Sequence, residues 1–214
     1  MTKVVPAILV QSENEYLEKI SNLEVRNEVS VMQFDILDGS MFGASSWSDI
    51  EVIKNLGNTP NFELHLMIEN PLQTVEKWHS KIKTVKRAII HAEIKAGISE
   101  SISAIKKLGI EVGLAINPET EISAVKMYLD DIDMILIMGV HPGQSGQKYL
   151  GSAINKKIRE VHEKFSDLPV AVDGGITLLN AESIVDAGAS ELCVASTIWQ
   201  AEDKKKVIQS LSSF

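Results

Sequence analysis

Val4-Val-Pro-Ala-Ile-Leu9 runs directly into Val10-Gln-Ser-Glu13. A short, unbroken apolar run suits a strand buried on both faces, as parallel strands are. The residues after it include no glycine. The junction therefore lacks the glycine-rich turn that follows the first strand of a doubly wound dinucleotide-binding sheet. Seven more such runs follow: Val31–Ile36, Phe62–Ile68, Ala88–His91, Glu111–Ile116, Met134–Val140, Leu168–Val172 and Leu192–Ala195. Helix signals lie between them. Ser12-Glu-Asn-Glu15 ahead of Tyr16, Leu17 and Ile20 reads as a capped start with a 3.6-residue period. Asn70-Pro71 is another start, because proline is tolerated in the first turn. Ser99–Leu108 and Ala181–Ala187 each end at a glycine, Gly109 and Gly188. Gly151–Phe165 and Ala201–Leu211 complete the set. Open doubly wound sheets usually stop at about five to seven strands. Eight alternating units predict an α/β chain folded as a closed (β/α)8 TIM barrel, one domain over residues 1–214.

Composition narrows the function. Apolar residues make up 44% and charged residues 23%, which argues against disordered and membrane-spanning classes. The formal net charge of −8 argues against nucleic-acid binding, which needs a basic face. It leaves room for an anionic small ligand, since backbone amides and helix N-termini hold phosphate without a net positive protein. The single cysteine, Cys193, sits in the apolar run Glu191–Ala195 and reads as a buried structural thiol. One thiol forms no internal disulfide, which fits a reducing compartment. The opening residues enter a strand-like run that Pro6 interrupts, unlike a signal peptide. Cytoplasm is the expected location.

In a barrel of this type the chemistry lies at the C-terminal ends of the strands. Strand side chains alternate with period two. In Val31–Ile36, Met32, Phe34 and Ile36 suit the helix-facing side, so Gln33 and Asp35 face the barrel axis. In Phe62–Met67, Phe62, Leu64 and Leu66 face the helices, so Glu63, His65 and Met67 face in. Val170-Ala-Val-Asp173 ends in Asp173. Asp35, His65 and Asp173 should therefore meet at the barrel mouth. Buried charges without a purpose or a partner are costly, so three together point to a working site.

Phosphate-binding candidates cluster after the last three strands. They are His141-Pro-Gly-Gln-Ser-Gly-Gln147, then Gly174-Gly175-Ile176, then Ala195-Ser-Thr197. Glycines allow close backbone approach, and the last two loops of a barrel commonly hold phosphate. Gly143, Gln144, Ser145, Gly146, Gly174, Gly175, Ala195 and Ser196 are the residues expected to line it. His91 and Glu93 after the fourth run read as loop contacts, with an inward polar pair as the alternative, and His79 and His162 as helix-surface residues. Trp47, Trp78 and Trp199 read as packing or subunit contacts, and Glu202–Lys206 as a solvated face of the last helix.

These residues, taken in order, resemble the ribulose-phosphate 3-epimerase family. Pro6-Ala-Ile-Leu9 is similar to its opening strand, and Phe34-Asp-Ile-Leu-Asp-Gly39 to its strand-two motif. Glu63-Leu-His-Leu-Met-Ile68 resembles its strand-three motif, and Asn117-Pro118 follows strand five as in the family. Ile137-Met-Gly-Val-His-Pro-Gly-Gln-Ser-Gly-Gln147 resembles its strand-six loop, and Val172-Asp-Gly-Gly-Ile176 its strand-seven motif.

The resemblance implies an isomerase of pentose phosphate metabolism, interconverting D-ribulose 5-phosphate and D-xylulose 5-phosphate. It makes Asp35 and Asp173 the acid/base pair on opposite faces of the substrate. It implies a divalent metal (zinc, iron, manganese or cobalt) held by two His and two Asp, here Asp35, His65 and Asp173 with Gln33 in the fourth place. Met67 and Met138 correspond to the thioether layer over the enediolate. Barrels of the family are often oligomers, although no stretch here marks an interface.

Several positions depart from the family pattern. Gln33 replaces the first metal histidine, and a neutral carboxamide oxygen is the weaker ligand. Ala7 replaces a substrate-contacting serine, and Leu37 a methionine. His141 replaces an asparagine, Ser145 a phosphate-loop glycine, and Ala195 the glycine before Ser196. The loop Ser40-Met-Phe-Gly-Ala-Ser45 is unlike the usual continuation. Three readings follow: an epimerase of this or another ketose phosphate, a decarboxylase- or aldolase-type barrel, and a phosphosugar-binding barrel without turnover. Asp35-Ile-Leu-Asp38 carries no lysine between its aspartates, against the second.

Overall fold

The computed structural model describes residues 2–57 and 59–214. Eight parallel strands close on themselves in chain order. They are β1 (Lys3–Ile8), β2 (Met32–Leu37), β3 (Phe62–Met67), β4 (Val85–His91), β5 (Glu111–Ile116), β6 (Met134–Met138), β7 (Val170–Asp173) and β8 (Glu191–Val194). Closure is made by β1 against β8, with Lys3 opposite Glu191 and Pro6 opposite Val194. A closed sheet has no exposed edge to protect. Every apolar run read as a strand is one, with ends displaced by at most three residues. The largest displacement is at β4, which begins at Val85.

The helices number ten among the described residues: α1 (Glu13–Ile20), α2 (Leu23–Arg26), α3 (Ile50–Leu56), α4 (Pro71–Lys81), α5 (Ile98–Lys107), α6 (Ile122–Val125), α7 (Ser152–Lys164), α8 (Ala181–Val185), α9 (Ser196–Trp199) and α10 (Lys204–Ser212). A 3-10 turn, Lys126–Asp131, extends α6. Ser12 caps α1 by accepting from the Glu15 N–H, and Glu15 accepts in return from the Gln11 N–H. The last helix begins at Lys204, not Ala201, because the Asp203 carboxylate accepts the Lys206 N–H and sets the cap there.

Period-two alternation divides the core into two layers. Helix-facing residues such as Phe34, Leu64, Ile90 and Leu114 pack with the apolar stripes of the helices. Axis-facing residues, among them Val5, Ile89, Ala115, Leu136, Ala171 and Cys193, fill the barrel interior. The fill is tight: a Cβ at Gly113 would stand 2.8 Å from Ile89 Cγ1. Cys193 is buried, and burial raises its thiol well above the usual range. Trp78 is core, while Trp199 donates its indole N–H to the Ala7 carbonyl.

The N-terminal end of the barrel is closed by charge. Arg87 lies 3.1 Å from Glu63, 3.0 Å from Glu191 and 2.8 Å from Glu111, and Lys3 adds a 2.9 Å pair to Glu191. Burial pushes Glu63 up to about 7 while the Arg87 guanidinium pulls against it. Removing the cation would leave two buried carboxylates facing each other. Arg87→Met should therefore cost about 3–5 kcal/mol of unfolding free energy, read by urea denaturation. A loss below about 1 kcal/mol, the scale of an exposed pair, would show that the network adds little.

Candidate active site

At the opposite end, the strand termini carry the polar residues. Parallel register places Asp35 beside His65 across β2 and β3, and Met138 beside Asp173 across β6 and β7. Asp35 itself is fixed from the backbone: Ser46 Oγ donates to the Asp35 carbonyl at 2.9 Å and accepts from the Leu37 N–H at 3.0 Å.

His65 joins the two carboxylates. Its Nδ1 lies 3.0 Å from Asp35 Oδ1 and 3.3 Å from Asp173 Oδ2. One ligand atom from each of Asp35, His65 and Asp173 falls within 4.8 Å of the others. Two ligands of one zinc-like cation stand at most about 4.4 Å apart, twice a bond of about 2.2 Å. Two carboxylates and one imidazole therefore stand close enough together to be candidates for holding one cation. Burial raises Asp35, against the pull of its hydrogen bond to His65. Burial lowers His65, but hydrogen bonds to Asp173 and Asp35 outweigh it and bring it to about 9.

Gln33 occupies the fourth corner, fully buried beneath the cleft. Its Nε2 donates to Asp35 Oδ1 at 2.8 Å and to Asp173 Oδ2 at 2.7 Å. Its Oε1 is buried without a hydrogen-bond partner.

Glu93 makes the loop contacts expected of it, whereas His91 is the inward member of the pair and reaches the site. His91 is fully buried, and its Nε2 lies 2.9 Å from His65 Nε2. Its Nδ1 lies 3.1 Å from Glu93 Oε2. The Glu93 Oε1 accepts from the Asn117 N–H at 2.8 Å and from the Thr120 hydroxyl. The direction of this chain follows from its last acceptor. An ionised carboxylate only accepts, so His91 donates through Nδ1 and accepts through Nε2. Burial lowers His91 to about 4, which keeps it neutral. His65 must then donate through Nε2, leaving Nδ1 to face the carboxylates or a cation. A metal-ligating histidine is commonly oriented in this way by the partner of its other nitrogen. Alternation signalled it: Ile89 fills the barrel interior, so His91 two residues on also points inward.

Above these groups opens a cleft. Asp35, His65 and Asp173 form its floor, and Met67 and Met138 its apolar wall. Gly143, Gln144, Ser145 and Gly146 line one side; Gly174, Gly175, Ala195 and Ser196 line another. All the residues singled out as substrate or phosphate contacts therefore surround one cavity, and Gln33 alone among the site residues lies outside its lining. Gly174 and Gly175 have φ of +106° and +70°, and a Cβ on either would lie 2.4 Å from a neighbouring atom. Only glycine lets the backbone run past Val140 and Tyr149 there. His141 turns away, exposed, and pairs with Glu119 at 3.2 Å. The unusual loop after Gly39 sets the Phe42 ring 5.2 Å from the His91 ring.

A sequence profile described as the Ribulose-phosphate 3 epimerase family matches residues 3–199. The ribulose-phosphate 3-epimerase of Bacillus subtilis (strain 168) is 28% identical, covering 99% of this chain and 98% of that one. The Escherichia coli (strain K12) protein of the same name is 29% identical, covering 86% and 83%. Among solved structures, 3-hexulose-6-phosphate synthase from Salmonella typhimurium superposes with a TM-score of 0.70 at 14% identity, covering 99% and 97%. A mutant tryptophan synthase alpha-subunit from Pyrococcus furiosus gives 0.73 at 13%, covering the whole of both chains. At such identities the two structures speak for the barrel fold alone.

The His91 relay can be tested without any substrate. His91→Phe keeps a buried ring and removes the acceptor for His65 Nε2–H. It should weaken divalent-cation binding by about 10- to 100-fold in a calorimetric titration with zinc. Unchanged affinity would mean that His65 needs no orienting partner.

Proposed function

Since this chain belongs to the ribulose-phosphate 3 epimerase family, we propose that it interconverts D-ribulose 5-phosphate and D-xylulose 5-phosphate by moving a proton at C3. The observation that carries the reading is the convergence of two carboxylates from strands on different sides of the barrel, β2 and β7, on one cleft floor.

Inversion at C3 passes through a planar enediolate, so a proton must leave one face and another arrive on the opposite face. In this reading one of Asp35 and Asp173 takes the C3 proton, and the C–H electron pair moves into the carbonyl. The other then delivers its proton to C3 from the far side as the carbonyl reforms. Run backward, the two carboxyl groups exchange duties. Burial favours the protonated form of Asp35, which suits a group that must hold a proton between steps. Met67 and Met138 cover the reacting carbons with polarisable, apolar surface that keeps water out. In this reading the phosphate sits against the backbone of Gly174, Gly175 and Ser196, beside Gly143–Gly146, which line the same cleft.

Asp35, His65 and Asp173 fit a divalent cation of the zinc, iron, manganese or cobalt class, with Gln33 at the remaining corner. When bound, such a cation supplies Lewis-acid stabilisation of the charge that builds on the substrate oxygen. A cytoplasmic setting suits both a phosphorylated sugar and a lone buried thiol.

Two measurements on the purified protein test the proposal. Incubation with ribulose 5-phosphate in deuterated water should yield xylulose 5-phosphate labelled at C3. Asp35→Asn and Asp173→Asn should each lower that rate by at least about 10²-fold. Label incorporation at the parent rate in either variant would remove that residue from proton transfer. Absence of turnover by the parent with any of the four metals would overturn the reading as a whole.

A further inference from the structure

The orientation of Gln33 is informative because only one end of its carboxamide is satisfied. The nitrogen makes two short hydrogen bonds, one to each carboxylate, and lies 3.4 Å from His65 Nδ1. The oxygen, equally buried, has no partner. A buried acceptor left unpaired is costly, so the nitrogen must gain more where it is. The gain is electrostatic. Two carboxyl oxygens, Asp35 Oδ1 and Asp173 Oδ2, meet at this point as acceptors, and the amide hydrogens are the partial positive charge between them. Turned over, the carbonyl oxygen would face the same two acceptor oxygens and be repelled by both.

Asp35, His65 and Asp173 would also surround a cation, and the Gln33 nitrogen is a neighbour of all three. With a cation present the preference reverses, because a carbonyl oxygen ligates a metal and an NH2 group cannot. Oxygen and nitrogen of a carboxamide are nearly the same size. A half-turn about the Cγ–Cδ bond therefore exchanges them without repacking the core. The turned-over NH2 would face the spot where the oxygen now finds no partner, so the exchange carries a cost that weakens cation binding.

We propose that the Gln33 carboxamide is an exchangeable stand-in for the metal: nitrogen inward, it bridges Asp35 and Asp173 in the metal-free protein; oxygen inward, it becomes the fourth ligand. The inference rests on the reading of Asp35, His65 and Asp173 as a cation site. It assigns to this chain a metal-free state that keeps the catalytic carboxylates in place, and a weakly held, readily exchanged metal.

The test follows the amide itself in nitrogen-15-labelled full-length protein, with zinc as the probe. The Gln33 NH2 resonances are assigned by their loss in Gln33→Met or, should that variant not fold, in Gln33→His. The metal-free protein should show this NH2 pair slowly exchanging with solvent, as two hydrogen bonds to buried carboxylates require. Zinc should shift the pair and speed its exchange. Calorimetry should find Gln33→His binding zinc about tenfold or more tightly than the parent, since an imidazole replaces a weak ligand that must first turn. Zinc binding that leaves the Gln33 resonances in place would overturn the exchange while leaving the cation site standing. So would binding by Gln33→His with none by the parent. No binding by either protein would overturn the cation-site reading and the exchange with it.

Discussion

Two carboxylates buried side by side repel each other, and the upper half of this barrel is organised around that repulsion. Asp35 and Asp173 come from strands separated by β1 and β8, so only closure of the sheet brings them together. Something with positive character must then stand between them. His65 supplies part of it from β3, and the Gln33 amide hydrogens supply the rest from beneath. The imidazole is useful only if its Nδ1 faces the carboxylates. That orientation is transmitted through His91 to Glu93, and from Glu93 to the Asn117–Thr120 loop. The loop is tied in turn to α7, where the Lys157 ammonium donates to the carbonyls of Asn117, Pro118 and Thr120.

The two ends of the barrel handle buried charge in opposite ways. At the bottom, Arg87 gives Glu63, Glu111 and Glu191 a covalently fixed cation, and nothing there needs to change during a reaction. A permanent guanidinium suits a structural plug. At the top, no arginine or lysine contacts Asp35 or Asp173 among the described residues. The compensation comes from an imidazole and an amide, both of which can alter their hydrogen bonding. A fixed cation at this end would hold both carboxylates ionised and would oppose their carrying protons.

How much of this was legible depends on the range over which each feature is determined. The strands were legible because burial on both faces makes each of them an apolar run whatever its neighbours. Asp35, His65 and Asp173 were legible because period two and the polarity of a parallel barrel together place them at one end. His91 carried the same signal through Ile89, but its value depends on a contact across strands, His65 Nε2 to His91 Nε2, that neither strand encodes alone. α3 had a cap at Asp49 and an apolar face at Ile50 and Ile53, yet it follows an atypical loop that obscures its start. α6 is a single turn that tightens into 3-10 geometry, too short for periodicity to register. The orientation of the Gln33 carboxamide was out of reach, since it is decided by two carboxylates 2 and 140 residues away.

Gln33 shows why a one-residue departure in a site need not read as loss of the site. In the family pattern a histidine stands at this corner, and its ring nitrogen serves a metal as a lone-pair donor. A glutamine retains a ligand atom and adds two hydrogens, so the corner acquires a second way of satisfying the carboxylates. The surrounding residues keep what either state needs: an oriented His65, a backbone-fixed Asp35 and an apolar cover from Met67 and Met138. Had the metal been lost together with its chemistry, the simplest replacement would have been an apolar side chain opposite neutralised carboxylates, because unpaired buried charge is costly. A polar group bonded to both carboxylates instead keeps them ionisable, close together and aimed into the cleft. That arrangement is the one the proposed proton transfer at a sugar carbon requires.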